Sequence, residues 1–222
     1  MATFLLVPGA CHGGWWYDEL VDALAALGHR GVPLTLAGLG PRDEPDGINL
    51  ETHVAQTVAA LEDQDGDDLV LVGHSYAGSV ITGAADRAPT NIKALVYLDA
   101  FVPDNGDSCF AMTNDQQRTW YVEGAGDFGF AVAPLLIFDS RARPQPLATL
   151  IQQSRLTGAW RTVPIKHYAA ATAWPDGDSP FAPTTQRLQQ DPDWQVTVWD
   201  TRHNVLHDGP DRVLELLLRA IA

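Results

Sequence analysis

Ser75 sits in Leu69-Val-Leu-Val-Gly73-His74-Ser75-Tyr76-Ala77-Gly78, where an apolar, strand-forming run meets small residues and then a helical pattern. A serine hydroxyl is a weak nucleophile unless a base within hydrogen-bond reach takes its proton. The strand–turn–helix context matches a G-x-S-x-G elbow, which holds the serine on a strained turn and needs small neighbours because other chain segments pass close by. The fifth position is Ala77 rather than glycine, and Gly78 follows at once. The helix that starts here also aims its N-terminal dipole at the point where negative charge would develop.

In chain order Ser…acid…His, the base arrives on the loop after the last strand. Gln195–Trp199 reads as that strand, and Asp200-Thr-Arg-His203-Asn-Val-Leu-His207 follows it. His203, nearer the strand end, is the candidate base; His207 is expected to pack or face solvent. Three carboxylates could orient the imidazole. Asp99 directly ends the run Ala94–Leu98 beside the serine strand and is preferred, while Asp176 and Asp178 in Trp174-Pro-Asp-Gly-Asp-Ser-Pro180 remain alternatives. The P-D-G sequence around Asp176 is equally a solvated turn.

A glycine-rich loop, Val7-Pro8-Gly9-Ala10-Cys11-His12-Gly13-Gly14-Trp15, follows the first strand. Such a loop can present a backbone N–H to the oxygen of a bound acyl group, with a second N–H from the residue after the nucleophile. Ala10 and Tyr76 are the candidate donors, and His12 is read as a structural loop histidine. With no G-K-[ST] element, a phosphate-binding reading of this loop is poor.

To position these groups the chain offers short β-rich runs alternating with helical patterns, the mark of a parallel sheet covered on both faces. The expected strands are Thr3–Val7, Gly31–Leu36, Leu69–Val72, Ala94–Leu98, His167–Thr172 and Gln195–Trp199. The expected helices are an early one ending near Gly28, then Leu50–Leu61, Tyr76–Arg87 and Arg212–Ile221. From about Pro103 to Val163 the alternation breaks into aromatic, Gly- and Pro-containing sequence with two short helical patterns. This stretch is expected to cap the sheet's C-terminal edge within a single domain over residues 1–222, because alone it would make a poor core. The acidic run Asp63–Asp68 reads as a solvated turn.

Composition narrows the function classes. Hydrophobic residues at 45% and charged residues at 19% suit a globular core. A net charge of −14 repels nucleic acid, so no nucleic-acid partner is expected. No apolar run approaches the ~18 residues of a membrane helix, so no membrane partner is expected. Cys11 and Cys109 lack the spacing of a metal knuckle or disulfide framework, so no metal is expected, and a reducing, cytoplasmic setting is.

Together the motifs resemble the small α/β-hydrolases that include plant methylesterases, the salicylic-acid-binding esterase, hydroxynitrile lyases and bacterial esterase relatives. The resemblance rests on Gly9–Trp15, on Gly73–Ser75, on Phe101-Val-Pro-Asp104 and on the His203-to-Pro210 spacing. It covers nearly the whole chain in order, the cap being least similar. It implies an α/β-hydrolase fold, a mostly parallel six-stranded sheet flanked by helices, and no cofactor. Three departures stand out: Pro8 replaces the family's usual histidine, Ala77 stands in the elbow, and Ala173-Trp174 fills the place where plant members carry their acid. The last favours Asp99 further. Lyases of the group have threonine in place of Gly9 and lysine in place of Asn204, so the resemblance implies an esterase rather than a lyase.

The leading expectation is a serine hydrolase cleaving a carboxylic ester or lactone through an acyl-enzyme on Ser75. The alternatives are a cyclase, acyltransferase or lyase using the same residues, and a non-catalytic small-molecule-binding protein on the same scaffold. Trp15, Trp16, Phe101, Phe110, Trp120 and Phe128 suggest an apolar or aromatic small-molecule substrate.

Overall fold

The computed structural model describes residues 1–64, 68–126 and 129–222, with Asp176 described in its backbone only. Part of the acidic turn expected at 63–68, the side chain of Asp176 and the whole of Phe128 therefore lie outside the described residues. Six strands form one parallel sheet: β1 (Thr3–Val7), β2 (Arg30–Pro33), β3 (Leu69–His74), β4 (Ile92–Leu98), β7 (Ile165–Ala171) and β8 (Gln195–Trp199). Their spatial order is β2-β1-β3-β4-β7-β8. Both faces are covered, as an all-parallel sheet requires. Leu5, Val7, Leu71, Leu95 and Tyr97 point into one core, and Phe4, Leu6, Val70, Val72 and Val96 point into the other.

The strand ends differ from the expectation by a few residues. β2 stops at Pro33 rather than Leu36 because its register with β1 ends there: Leu6 pairs with Pro33, the Leu34 N–H makes the last bond to the Leu6 carbonyl, and Val7 pairs only with Gly73 of β3 among the described residues. Leu36 is instead fully buried in the loop beyond. β7 begins at Ile165, opposite Ala94, and ends at Ala171, one residue before Thr172.

The helices that cover the sheet carry their own start and stop signals. α1 (Asp18–Ala26) ends at Gly28, whose positive φ lets the N–H groups of Gly28 and His29 close on the carbonyls of Ala25 and Leu24. α2 (Leu50–Glu62) starts with Asn49, which forms a reciprocal capping box with Thr52. α3 (Ala77–Arg87) follows the serine and is buried from Ala77 through Asp86. α9 (Pro210–Arg219) opens with proline in the first turn, as the Gly209-Pro210 entry leads one to expect, and ends two residues before Ile221.

Between β4 and β7 lie the cap elements, α4 (Cys109–Met112), α5 (Asp115–Gly124) and α6 (Leu147–Ile151). A two-stranded antiparallel ribbon accompanies them, β5 (Ala131–Val132) paired with β6 (Gln145–Pro146). The expectation of two short helices is thus corrected, among the described residues, to three α-helices, a 3-10 turn at Ala159–Thr162 and a ribbon; five-residue and shorter pieces leave too little periodicity to read. The cap is fastened to α3 by Asp86. Its carboxylate accepts the N–H groups of Thr157, Gly158 and Trp160 and the Thr157 hydroxyl, at 2.6–3.2 Å.

Candidate active site

Because every strand of the main sheet runs the same way, the segments after β1, β3, β4, β7 and β8 converge on one edge. Ser75 follows β3 directly and adopts φ +56°, a conformation that costs energy for any residue but glycine. The turn is held by Ser75 N–H on the Leu98 carbonyl at 3.2 Å. The Ser75 carbonyl in turn accepts from Gly78 and Phe101, each at 3.1 Å. Asp99, directly after β4, is likewise left-handed at φ +43° and fully buried.

His203, after β8, joins the two. Its Nε2 lies 2.9 Å from Ser75 Oγ and its Nδ1 lies 2.7 Å from Asp99 Oδ2. Nδ1 beside a carboxylate carries the proton, which leaves the Nε2 lone pair facing the serine hydroxyl. Asp99 has two further donors, the Ala171 N–H on Oδ1 and the Trp174 indole N–H on Oδ2, both at 3.1 Å. Both oxygens of the buried carboxylate are thus hydrogen-bonded. The imidazole is flanked by Phe181, Trp174 and His74, with ring centroids 5.3, 4.7 and 4.5 Å away.

The structure therefore brings together Ser75, His203 and Asp99. It does not bring Asp178 to them: that residue is exposed and accepts from the Asn114 side chain, tying its turn to the start of α5. The turn Pro175–Gly177 separates it from Trp174, and the Asn114 side chain holds it at the cap through its carbonyl and its carboxylate. His207 lies in α8 (Val205–Asp208), exposed and paired with Asp208. His12 points back into its own loop, Nδ1–H donating to the Ala10 carbonyl at 2.7 Å. Burial pushes its pKa below the ordinary histidine value.

The glycine-rich loop passes directly over the elbow. A side chain on Gly9 would come within 2.7 Å of His74 Nδ1 and 3.1 Å of Ser75 Cβ, so only glycine fits. Among the described residues, the backbone N–H groups of Ala10 and Tyr76 meet no protein acceptor. They stay available to a ligand beside Ser75. His74 underlies the site: its Nε2–H donates to the His203 carbonyl at 3.0 Å and its ring stacks on Trp16 at 4.3 Å. Burial holds His74 well below the usual histidine pKa, and the neighbouring His203 adds to the shift.

Residues 4–216 match the sequence model of the Alpha/beta hydrolase family. The chain belongs to that family. The carbendazim hydrolyzing esterase of Nocardioides sp. (strain SG-4G) is 37% identical, over 98% of both chains. Salicylic acid-binding protein 2 of Nicotiana tabacum is 36% identical over 52% of this hydrolase and 46% of its own length. Among solved structures, an extracellular alpha/beta-hydrolase from a Paenibacillus species superposes with a TM-score of 0.83 at 22% identity, covering 99% of each chain. The hydrolase is accordingly an enzyme of carboxylesterase-like type.

Several residues at the site carry no signal legible in the sequence. Trp174 and Phe181 touch His203 from positions that carry no site signal: Trp174 reads only as part of a turn, and Phe181, just before the helix α7 (Ala182–Gln189), falls where no element is expected. Gly78, not the fifth position of the elbow motif, is the close-approach glycine: a Cβ there would lie 1.9 Å from the Phe101 carbonyl oxygen. Of the aromatic residues expected at the substrate, Trp16 backs onto His74 and Phe101 packs on Phe181. Trp15 stacks under Arg141, Phe110 packs on Tyr121, and Trp120 meets Phe138 of the cap. Among the described residues no cluster of three or more His, Cys, Asp or Glu side chains could hold a metal ion, and no helix is long and apolar enough to cross a membrane.

Proposed function

We propose that this hydrolase cleaves a small, apolar or aromatic carboxylic ester or lactone through an acyl-enzyme on Ser75. The observation that carries the reading is the unbroken hydrogen-bond chain from Ser75 Oγ through His203 to Asp99, at 2.9 and 2.7 Å. Ser75 Oγ attacks the acyl carbon while His203 Nε2 takes its proton, and Asp99 steadies the imidazolium that forms. The negative charge that develops on the carbonyl oxygen is met by the Ala10 and Tyr76 N–H groups, where losing one donor typically costs about 10²–10³ in turnover. His203 then protonates the departing alkoxide. In the second half-reaction it takes a proton from water, which attacks the acyl group and frees Ser75.

The aromatic side chains near the loop support this substrate class. His12, Trp120 and Phe138 gather beside the glycine-rich loop, with Phe138 lying 4.8 Å from His12 and 6.1 Å from Trp120 between ring centroids. An aryl or short alkyl ester suits such walls, and carbendazim, after which the Nocardioides esterase is named, is one compound to include.

The test is a panel of aryl and alkyl esters, with fluorophosphonate labelling read by intact mass. Wild type should hydrolyse at least one ester and take up one label. Ser75→Ala should lose the label and at least about 10⁴-fold in turnover, and Asp99→Asn about 10³–10⁴-fold. Full turnover by Ser75→Ala would remove the basis of the reading.

A further inference from the structure

Gly9, Ala10, Cys11 and His12 form a tight turn closed by the His12 N–H on the Gly9 carbonyl at 3.2 Å. Ala10 has negative φ and Cys11 has φ +68°, which makes this a type II turn with a cysteine where glycine is the usual residue. Types I and II differ by a flip of the central peptide, here the Ala10–Cys11 unit. Left alone, a non-glycine residue in the third place favours the flip, since type I relieves the left-handed strain.

Here the flip is blocked from both ends of that peptide. The Ala10 carbonyl accepts from His12 Nδ1–H at 2.7 Å, and the Cys11 N–H donates to Gln145 Oε1 at 2.9 Å. Gln145 comes from β6 of the cap and is fully buried. Its Nε2–H donates to Thr149 Oγ1 at 2.7 Å, and that hydroxyl donates to the Pro146 carbonyl at 2.6 Å. The remaining polar groups of Cys11 also face the cap: its carbonyl accepts from Arg143 N–H at 2.9 Å, and its Sγ lies 4.0 Å from the Val132 carbonyl. The Tyr76 phenol is separately anchored on His53 Nδ1 at 2.8 Å.

We propose that Gln145 is a positioning residue for the oxyanion-binding turn: through the Cys11 N–H it ties down the strained turn that carries the Ala10 N–H, and release of the turn lets that donor drift from the substrate oxygen. The cap, on this view, completes the catalytic edge of the sheet as well as covering it. It supplies a brace in a chain where Pro8, lacking a side-chain donor, stands directly before the turn. The inference rests on the acyl-enzyme reading above and adds to it a residue outside the Ser–His–Asp chain.

The test compares wild type with Gln145→Met, which keeps side-chain length and removes both hydrogen bonds. Three readouts are taken: kcat, KM, and the affinity of a trifluoromethyl ketone that mimics the tetrahedral adduct. The expected result is a kcat lower by about 10–100-fold with KM within about threefold, and ketone affinity falling in step with kcat/KM. Adding Cys11→Gly to Gln145→Met should restore at least about tenfold in kcat, because glycine holds the turn without a brace. If Gln145→Met does not fold, Thr149→Val, which removes the hydroxyl between Gln145 Nε2 and the Pro146 carbonyl, should show the same kcat-selective loss in milder form. Wild-type kcat in the folded variant, a loss confined to KM, unchanged ketone affinity, or no recovery with Cys11→Gly would each overturn the proposal. Ser75→Ala separates the two failures: if it is inert while Gln145→Met is fully active, the brace alone is wrong.

Discussion

His53 shows how one side chain can serve the site and set the pH range of the fold. It is fully buried, its Nδ1 accepting the Tyr76 hydroxyl and its Nε2–H donating to the Ala37 carbonyl, each at 2.8 Å. Burial lowers its pKa to about 4, partly offset by the Ala37 carbonyl. As pH falls below ~6.5 the unfolded chain takes up this proton while the native state does not, so stability present above ~6.5 is lost on the way down to about 4. The difference amounts to roughly 2–3 kcal/mol by pH 4.5. Urea unfolding at pH 7 and 4.5 should show a pH-dependent loss larger by that amount in wild type than in His53→Gln; equal losses would mean that His53 does not titrate between the two states. Residues of this kind explain what sequence can and cannot disclose. Ser75 and His203 announce themselves through local context, a strand end followed by a turn. Asp99 was one of three candidates because every strand of a parallel sheet ends on the same edge. Gln145 and Trp174 act through partners 134 and 75 positions away, and no local pattern encodes such contacts.

At the level of elements, β1 and β8 were legible to the residue, since each apolar run is bounded by turn-forming or polar sequence. The ends of β2 and β7 shifted because a strand stops where its neighbour's register stops, which is information about a pair rather than a segment. The elbow shows the same dependence. The motif drew attention to Ala77, yet the tight packing falls one residue later, where the first turn of α3 meets the Phe101 backbone. Phe101 is two residues beyond Asp99, so pushing α3 off this contact displaces the carboxylate that holds His203. Gly78→Ala is expected to destabilise the protein by about 3 kcal/mol, toward the upper end for overpacked sites, and to lower kcat sharply in whatever fraction folds. Ala77→Gly, which restores the common motif, should cost no more than about 1 kcal/mol, since it stands at the first position of α3, and keep its activity. Thermal melts and ester turnover of the two variants decide this, and comparable damage from both would show that the Phe101 contact is not the constraint.

For the whole molecule, the question is how the cap elements stay on the sheet they cover. Most of the main sheet reads as regular alternation, but the cap is assembled from pieces too short to stand alone. Its place is set by contacts to the body: Cys11 against Gln145 on one side and Asp86 against residues 157–160 on the other. Burial raises the Asp86 pKa, but the Thr157, Trp160 and Gly158 N–H groups outweigh it and leave the carboxyl below its ordinary value. Removing the carboxylate strands three backbone donors at a half-buried junction, a loss of roughly 2–4 kcal/mol. Because these donors belong to the return from cap to β7, the damage should be local before it is global. Asp86→Ala is therefore expected to melt roughly 5–10 °C lower. Under native conditions trypsin should cut it first at Arg155 or Arg161, which flank the clamp, while wild type resists at both. The fluorophosphonate label should still reach Ser75 in the uncut variant, since the elbow and the His203–Asp99 pair lie on the sheet. First cuts elsewhere, or loss of label before any cut, would mean that the cap is held mainly through the glycine-rich loop and that Asp86 is a secondary contact.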